Sequence, residues 1–328
     1  MSEQIKKTTV VGAGYMGGGI AQSLAIAGFD VTIADVDAAA AEKAYARLIA
    51  EAQEFEDQGL YKPGSAALVA ANIRWSPSIE EAVADADFVE EAVFEVADVK
   101  KPVLERISRA ARPDAIIGTN TSTIPVHVLV PAVVGPERFL TVHFSNPAPF
   151  IPGVELVAGQ ATRPDVVATV KDILQRCGRQ GAQVADTPGM VLNRLQYVLL
   201  KEACSIVEEG IATPEDVDTI VRTTFGFRLG FFGPFAIADQ AGLDVYVNCF
   251  KTFEGAFGER LATPEMLRDA VGAERLGVKN GRGLTGDFDD DVKAALIAYR
   301  NKAYAKMLDL VQEMGPAPAG TKVAASVD

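Results

Sequence analysis

Residues 5–35 leave this chain the fewest options. A β-rich run, Ile5 to Val11, empties into Gly12-Ala13-Gly14-Tyr15-Met16-Gly17, with Gly18 and Gly19 directly behind. The helical run IAQSLAIAG follows, and a second β-rich run, Phe29 to Ala34, closes on Asp35. Strand, glycine turn, helix, strand and acid therefore fall within one βαβ length, the context a GxGxxG pattern needs before it means a dinucleotide site. In that reading Gly12 allows the tight turn, Gly14 lets a pyrophosphate approach the backbone, and Gly17 lets helix and strand pack closely. Tyr15 and Met16 share the turn, and the helix start offers free N–H groups and a positive dipole to phosphates. A glycine-rich turn of no function is the lesser alternative.

Asp35 can accept two hydrogen bonds from an adenosine ribose and would repel a 2′-phosphate. Val36 and Asp37 follow it, with no Arg or Lys to receive such a phosphate. The expected cofactor is NAD rather than NADP.

A chain of 328 residues has room for two packed domains. Its formal charge of −13 disfavours nucleic acid, and no apolar run approaches membrane-spanning length. The N-terminus runs from polar residues straight into a strand, leaving no room for a signal peptide. Three scattered cysteines, Cys177, Cys204 and Cys249, suit a reduced compartment. With no CxxC spacing and two histidines in all, no metal site is expected. The expectation is a soluble, cytoplasmic protein.

After a long helix over 38–59, a strand is expected at Ile73-Arg74-Trp75, another over Asp87 to Val93, a helix over Val96 to Ala111, and a strand over Ala115 to Thr119. That last strand empties into Asn120-Thr121-Ser122-Thr123, and polar loops at the ends of parallel strands are where a doubly wound sheet presents functional groups. Glu95 and Lys100 flank the preceding helix start at the edge of the same cleft; a solvated pair is the default for such charges. Phe139 to Phe144 is a strand carrying His143 near its end, broken by Asn146-Pro147. A second short strand, Val154 to Val157, carries Glu155. A histidine at a strand's carboxyl end with a carboxylate on the next strand matches a general base held by an acid. From these residues alone, a core histidine with one satisfied nitrogen and a surface glutamate is the stronger reading.

A helix is expected over 166–176, and the first domain, residues 1–188, is a Rossmann-type α/β sheet. From Met190 the chain turns all-helical, and residues 189–314 make a substrate and dimerisation domain. Thr213-Pro214-Glu215-Asp216 has the cap, proline and acids of a helix start. Eight of the sixteen phenylalanines lie between Phe225 and Phe257. So dense a cluster suggests an active-site roof and a dimer interface, with an ordinary core as the even alternative. Residues 315–328 read as a disordered tail.

Taken as an ordered set, GAGYMGGGIAQ, EAVFEVADVKK, TNTST, HFSNP, VELV and DTPGMVLNRL resemble the L-3-hydroxyacyl-CoA dehydrogenase family, over nearly the whole chain. The resemblance implies an NAD-dependent oxidoreductase with a catalytic set of Ser122, His143, Glu155 and Asn193, and it reverses the weighting against His143. It implies cofactor contacts from Asp35, Ala92, Glu95, Lys100, Ser122 and Asn146, with Asn120 in the same loop. Asn193 would close onto the site only as the domains close around Gly189; His127 falls outside every motif and is expected to be structural. Two departures bear on substrate. The helical hairpin around residues 51–57, where acyl-CoA members tend to carry lysines, is acidic here. The C-terminal piece reads GRGLTG rather than Gly-Phe-Tyr-like. Meanwhile NRLQYVLLKEA, VEEGIATPEDVD and Gly226-Phe227-Arg228 look closer to the lambda-crystallin (L-gulonate 3-dehydrogenase) and L-carnitine dehydrogenase branch. That likeness implies a free 3-hydroxy acid held by Arg228, against an acyl-CoA thioester or a crystallin-like structural role as alternatives.

Overall fold

The computed structural model describes residues 5–318, which group into two compact units, one up to residue 201 and one from residue 202 onward. The first unit begins with the expected βαβ: β1 (Lys7–Val11), α1 (Tyr15–Ile26) and β2 (Asp30–Ala34). The hairpin α2 (Ala38–Asp57) and α3 (Ser65–Asn72) leads to β3 (Ile73–Trp75), and α4 (Ile79–Val83) leads to β4 (Phe88–Glu91). Next come α5 (Ala97–Ala110), β5 (Ile116–Thr119), α6 (Val126–Leu129) and β6 (Phe139–Phe144). The sheet is completed by β7 (Gly153–Ala158), α7 (Pro164–Arg176) and β8 (Gln180–Val184). Strand order is β3-β2-β1-β4-β5-β6-β7-β8. Neighbours pair in parallel except β6 and β7, which are antiparallel.

Alternation along these strands sends successive side chains to opposite faces, and each face has its own core. Val10, Ile33, Phe88, Leu140 and Val142 pack against Ile20 and Leu24 of α1 and Val170 of α7. Val11, Val89, Ile117, Phe139 and Val157 pack against Val83 of α4, Leu104 of α5 and Leu129 of α6. Two faces covered by helices explain why these strands are near-continuous apolar runs. Strand β8 escapes a reading of the sequence because it is an edge strand of sequence QGAQV, exposed or half-exposed throughout, and so has no apolar face to betray it.

By contacts the division between the two units falls within helix α8 (Leu192–Glu208). The reason is local: Met190 is 3% exposed and belongs to the second core of the sheet. The second unit contains α9 (Pro214–Thr223), α10 (Phe225–Leu229), α11 (Pro234–Ala241), α12 (Leu243–Phe257), α13 (Glu265–Gly272) and α14 (Asp290–Met314). Thr213 caps α9 by accepting from the Asp216 amide. Its small core centres on Ala238, Leu243 and Ala270. Phe227, Phe231 and Phe232 surround Tyr304 of α14, with ring centroids 5.8–6.5 Å apart. Residues 315–318 are non-helical, and the rest of the expected tail lies outside the described residues.

Candidate active site

A cleft of about 590 Å³ opens at the carboxyl ends of β1, β4, β5 and β6. Its phosphate end is the glycine turn. Gly12 has φ of +92°, and a Cβ there would come within 2.8 Å of the Ala92 carbonyl, so only glycine fits between the two strand ends. Gly17 lies beneath the turn; a Cβ on it would run into the Gly12 carbonyl oxygen. A Cβ on Gly14 would meet nothing within 4 Å, so this position opens onto the cleft. Asp35, at the end of β2, accepts from the Ala13 amide at 2.9 Å and from the Val36 amide at 2.7 Å. Both backbone bonds hold its carboxylate at the cleft wall with lone pairs to spare for ribose hydroxyls. Among the described residues, no Lys or Arg lines the cleft. These residues fit NAD, and they offer nothing to a 2′-phosphate.

At the middle of the cleft, polar groups are organised by buried acids. Glu91, fully buried on β4, accepts from the Val93 amide at 2.7 Å, from Thr119 Oγ1 at 2.5 Å and from Lys100 Nζ at 2.9 Å. Lys100 also reaches the Val93 carbonyl and stands 3.5 Å from Glu95. Glu95 gathers the polar loop: one carboxylate oxygen accepts from the hydroxyls of Thr121, Ser122 and Thr123 and from the amides of Ser122 and Thr123. Burial alone would raise the pKa of Glu95, but the Thr121 hydroxyl, the Thr123 amide, the Lys100 charge and the Ser122 amide together bring it to about 2. Asn120 fixes the other wall, its Oδ1 accepting from the Phe144 amide at 2.8 Å.

His143 and Glu155 are direct cross-strand partners on β6 and β7, and both face the α5 side of the sheet. Nδ1 of His143 lies 2.9 Å from one Glu155 oxygen. The other oxygen accepts from the Val191 and Leu192 amides, each at 2.9 Å. The carboxylate is therefore held by the start of α8 while it orients the imidazole, leaving Nε2 for the cleft. One residue on, Asn193 Nδ2 donates to the Ser122 carbonyl at 2.8 Å. This tie between α8 and the polar loop lies within the first unit.

Of the expected cofactor and catalytic residues, Gly12, Gly14, Tyr15, Met16, Asp35, Ala92, Glu95, Asn120, Ser122, His143 and Asn146 line the cleft. Glu155 and Asn193 stand behind it. Lys100 is a correction: it is 1% exposed, and its ammonium is spent on Glu91, so it reaches the cleft only through Glu95. Gly17 supports the turn without lining it. Arg228 lies on α10 in the second unit, half-buried. His127 lies outside the cleft, its Nδ1 2.8 Å from Asp186, which also accepts from the Val126 and His127 amides. Sequence reasoning missed Glu91, Thr121, Thr123 and the Val191 and Leu192 amides. The one available signal was a pair of acids, Glu90-Glu91, inside an apolar strand.

Comparison with known proteins accords with this geometry. The family model described as 3-hydroxyacyl-CoA dehydrogenase, NAD binding domain, matches residues 7–187, and the C-terminal domain of the same family matches residues 189–286. A 5-formyl-3-hydroxy-2-methylpyridine 4-carboxylate 5-dehydrogenase of Mesorhizobium japonicum is 34% identical over 88% of this chain and 93% of its own. A probable 3-hydroxybutyryl-CoA dehydrogenase of Bacillus subtilis is 34% identical over 86% of this chain and 97% of its own. The crystal structure of a 3-hydroxyacyl-CoA dehydrogenase from Archaeoglobus fulgidus, 30% identical, covers 94% of this chain and 99% of its own with a TM-score of 0.77. Two models of one family that together take in residues 7–286, and relatives 34% identical over most of both chains, show that the chain belongs to the 3-hydroxyacyl-CoA dehydrogenase family as an NAD-dependent oxidoreductase of CH–OH groups.

Proposed function

We propose that the chain oxidises the 3-hydroxyl of a small free 3-hydroxy carboxylic acid to the 3-keto acid. Gly12, Gly14 and Asp35 would hold NAD, whose nicotinamide would supply the acceptor for the hydride from C3. His143 takes the hydroxyl proton at Nε2, and Glu155 holds the ring in one tautomer and stabilises imidazolium as it forms. Ser122 and Asn193 steady the substrate oxygen as charge shifts.

The choice of a free acid is carried by Arg228. It is half-buried, close in sequence to Phe227, Phe231 and Phe232, and among the described residues no salt bridge to a carboxylate holds it. A guanidinium in such surroundings calls for an anion, and a substrate carboxylate matches its bidentate fork. The acidic stretch of α2 favours the same choice, since Glu51, Glu54, Glu56 and Asp57 would repel the phosphates of coenzyme A. A relative named for a pyridine 4-carboxylate supports the free acid, and a likeness to the gulonate and carnitine branch remains part of this proposal. A relative named as a 3-hydroxybutyryl-CoA dehydrogenase favours the thioester instead.

The test is a substrate panel of free 3-hydroxy acids and their CoA thioesters, followed by NADH absorbance. Arg228→Met is expected to raise KM for the preferred acid by about 2 to 4 kcal/mol of lost binding, with Arg228→Lys a partial rescue. An unchanged KM, or a wild type that turns over 3-hydroxybutyryl-CoA far better than any free acid, gives the thioester reading the field. The proposal extends to a cytoplasmic homodimer joined through residues 189–314. Exposed apolar side chains on α14, among them Ile297, Leu308 and Met314, support the dimer, and sedimentation equilibrium measures it. No helix among the described residues is long and apolar enough to cross a membrane.

A further inference from the structure

The cleft wall contains two carboxylates, Asp35 and Glu95, and no cation, yet a dinucleotide brings a doubly charged pyrophosphate to the glycine turn. The positive charge at that turn comes from behind it. Arg47 of α2 donates from Nη2 to the Ala13 carbonyl at 2.7 Å and to the Gly14 carbonyl at 3.3 Å. Its Nη1 bonds both oxygens of Glu51, one helical turn on, at 2.8 and 2.9 Å. An exposed i,i+4 pair by itself does little, so the turn contacts are what distinguish this arginine. Helix α2 is anchored beside α1, because Gln22 Nε2 donates to the Leu48 carbonyl at 2.9 Å in the interior.

A trans peptide is planar, with its C=O and N–H pointing in opposite directions. Holding the Ala13 oxygen from behind therefore aims the Gly14 N–H forward, and holding the Gly14 oxygen aims the Tyr15 N–H forward. Gly14 and Tyr15 both line the cleft. On the other side of Ala13, its own amide is tied to Asp35, so the peptide units flanking this residue are fixed from two directions. A guanidinium on the carbonyls also polarises the amides that would meet phosphate.

We propose that Arg47 is a positioning residue for the cofactor's pyrophosphate, holding the Ala13 and Gly14 carbonyls so that the Gly14 and Tyr15 amides face the phosphates and supplying the charge the cleft wall lacks. The inference rests on NAD binding and is independent of which hydroxy acid is the substrate.

The test compares full-length wild type, Arg47→Met and Arg47→Lys by NADH fluorescence titration and by calorimetry with ADP and with adenosine. Arg47→Met is expected to weaken NADH and ADP about tenfold, the scale of one charge-assisted hydrogen bond. Adenosine, which has no phosphate but still uses Asp35, should change by less than about twofold, and Lys should recover part of the loss because it keeps charge without the fork. KM for NAD should rise with the dissociation constant while kcat at saturating NAD stays within about twofold. Unchanged NADH affinity overturns the proposal, and so does an equal loss for ADP and adenosine, which would mean that the whole turn had disordered. Glu51→Gln leaves Arg47 in place and removes the competing carboxylate, so ADP binding should be kept or strengthened; a tenfold loss in that variant also overturns it.

Discussion

The two faces of the sheet treat buried charge in opposite ways. Glu90 and Glu91 are neighbours on β4, both 0% exposed, and alternation sends them to opposite sides. On the α5 side, Glu91 is fully bonded, and the same side carries His143 and Glu155 at the cleft. On the α1 side, Glu90 lies against Gly118, and neither of its oxygens has a hydrogen-bond partner among the described residues. Burial, then the charge of Glu91, raises the Glu90 pKa well above its ordinary value, with Lys100 opposing, which favours the neutral carboxyl. One face is a polar network built for chemistry, and the other is an apolar core carrying one unpartnered acid. The lesson is that burial does not set the role of a carboxylate; its partners do.

The strongest way to break this contrast is at the functional face. His143→Ala should lower kcat by about 10² to 10⁴, the range for a general base. Glu155→Gln should cost less, and the double variant little more than His143→Ala, because residues acting through one another are not additive. Independent, multiplying losses in steady-state kinetics would separate Glu155 from the histidine and dissolve the network.

Next in size is Lys100→Met. It leaves the buried Glu91 carboxyl without its cation, and should destabilise the protein by about 3 to 5 kcal/mol in urea unfolding. A small effect would mean that Thr119 and the Val93 amide suffice.

On the opposite face the sign reverses. Glu90→Val removes an unsatisfied buried group and should stabilise by about 1 to 3 kcal/mol at neutral pH. The pH dependence follows from the raised pKa. The native state keeps a proton that the unfolded chain releases above about pH 4.3, so the unfolded state binds fewer protons. Stability then falls as pH rises through that window toward the raised native value. Glu90→Gln should flatten this part of the unfolding profile; an unchanged slope in that variant would mean that other groups carry it.

The smallest effect sharpens the contrast at the edge of the sheet. With Asp35 facing the ribose and no cation beside it, NAD should be preferred over NADP at least about tenfold in kcat/KM, or roughly 1.4 kcal/mol. Asp35→Ala should narrow the gap mainly by weakening NAD. Equal rates with the two cofactors in the wild type would remove the case for Asp35.

Sequence alone determined the βαβ opening with its Gly12 turn and Asp35, the strands through β7 and the helices α1, α2, α5 and α7. It also supplied the histidine and the acid on adjacent strands, and the cap at Thr213. These rest on short-range physics: period-two and period-3.6 patterning, turn chemistry and capping, each decided within a few residues. Tertiary structure decided what depends on register and on neighbours distant in the chain. It set His143 opposite Glu155, brought the Val191 and Leu192 amides to that carboxylate, and drew Lys100 away from the cleft onto Glu91. It also put Asn193 on the Ser122 carbonyl and gave two adjacent glutamates opposite fates. A one-residue shift in the pairing of β6 with β7 would send His143 and Glu155 to different faces, and no local pattern in either strand records which register is taken.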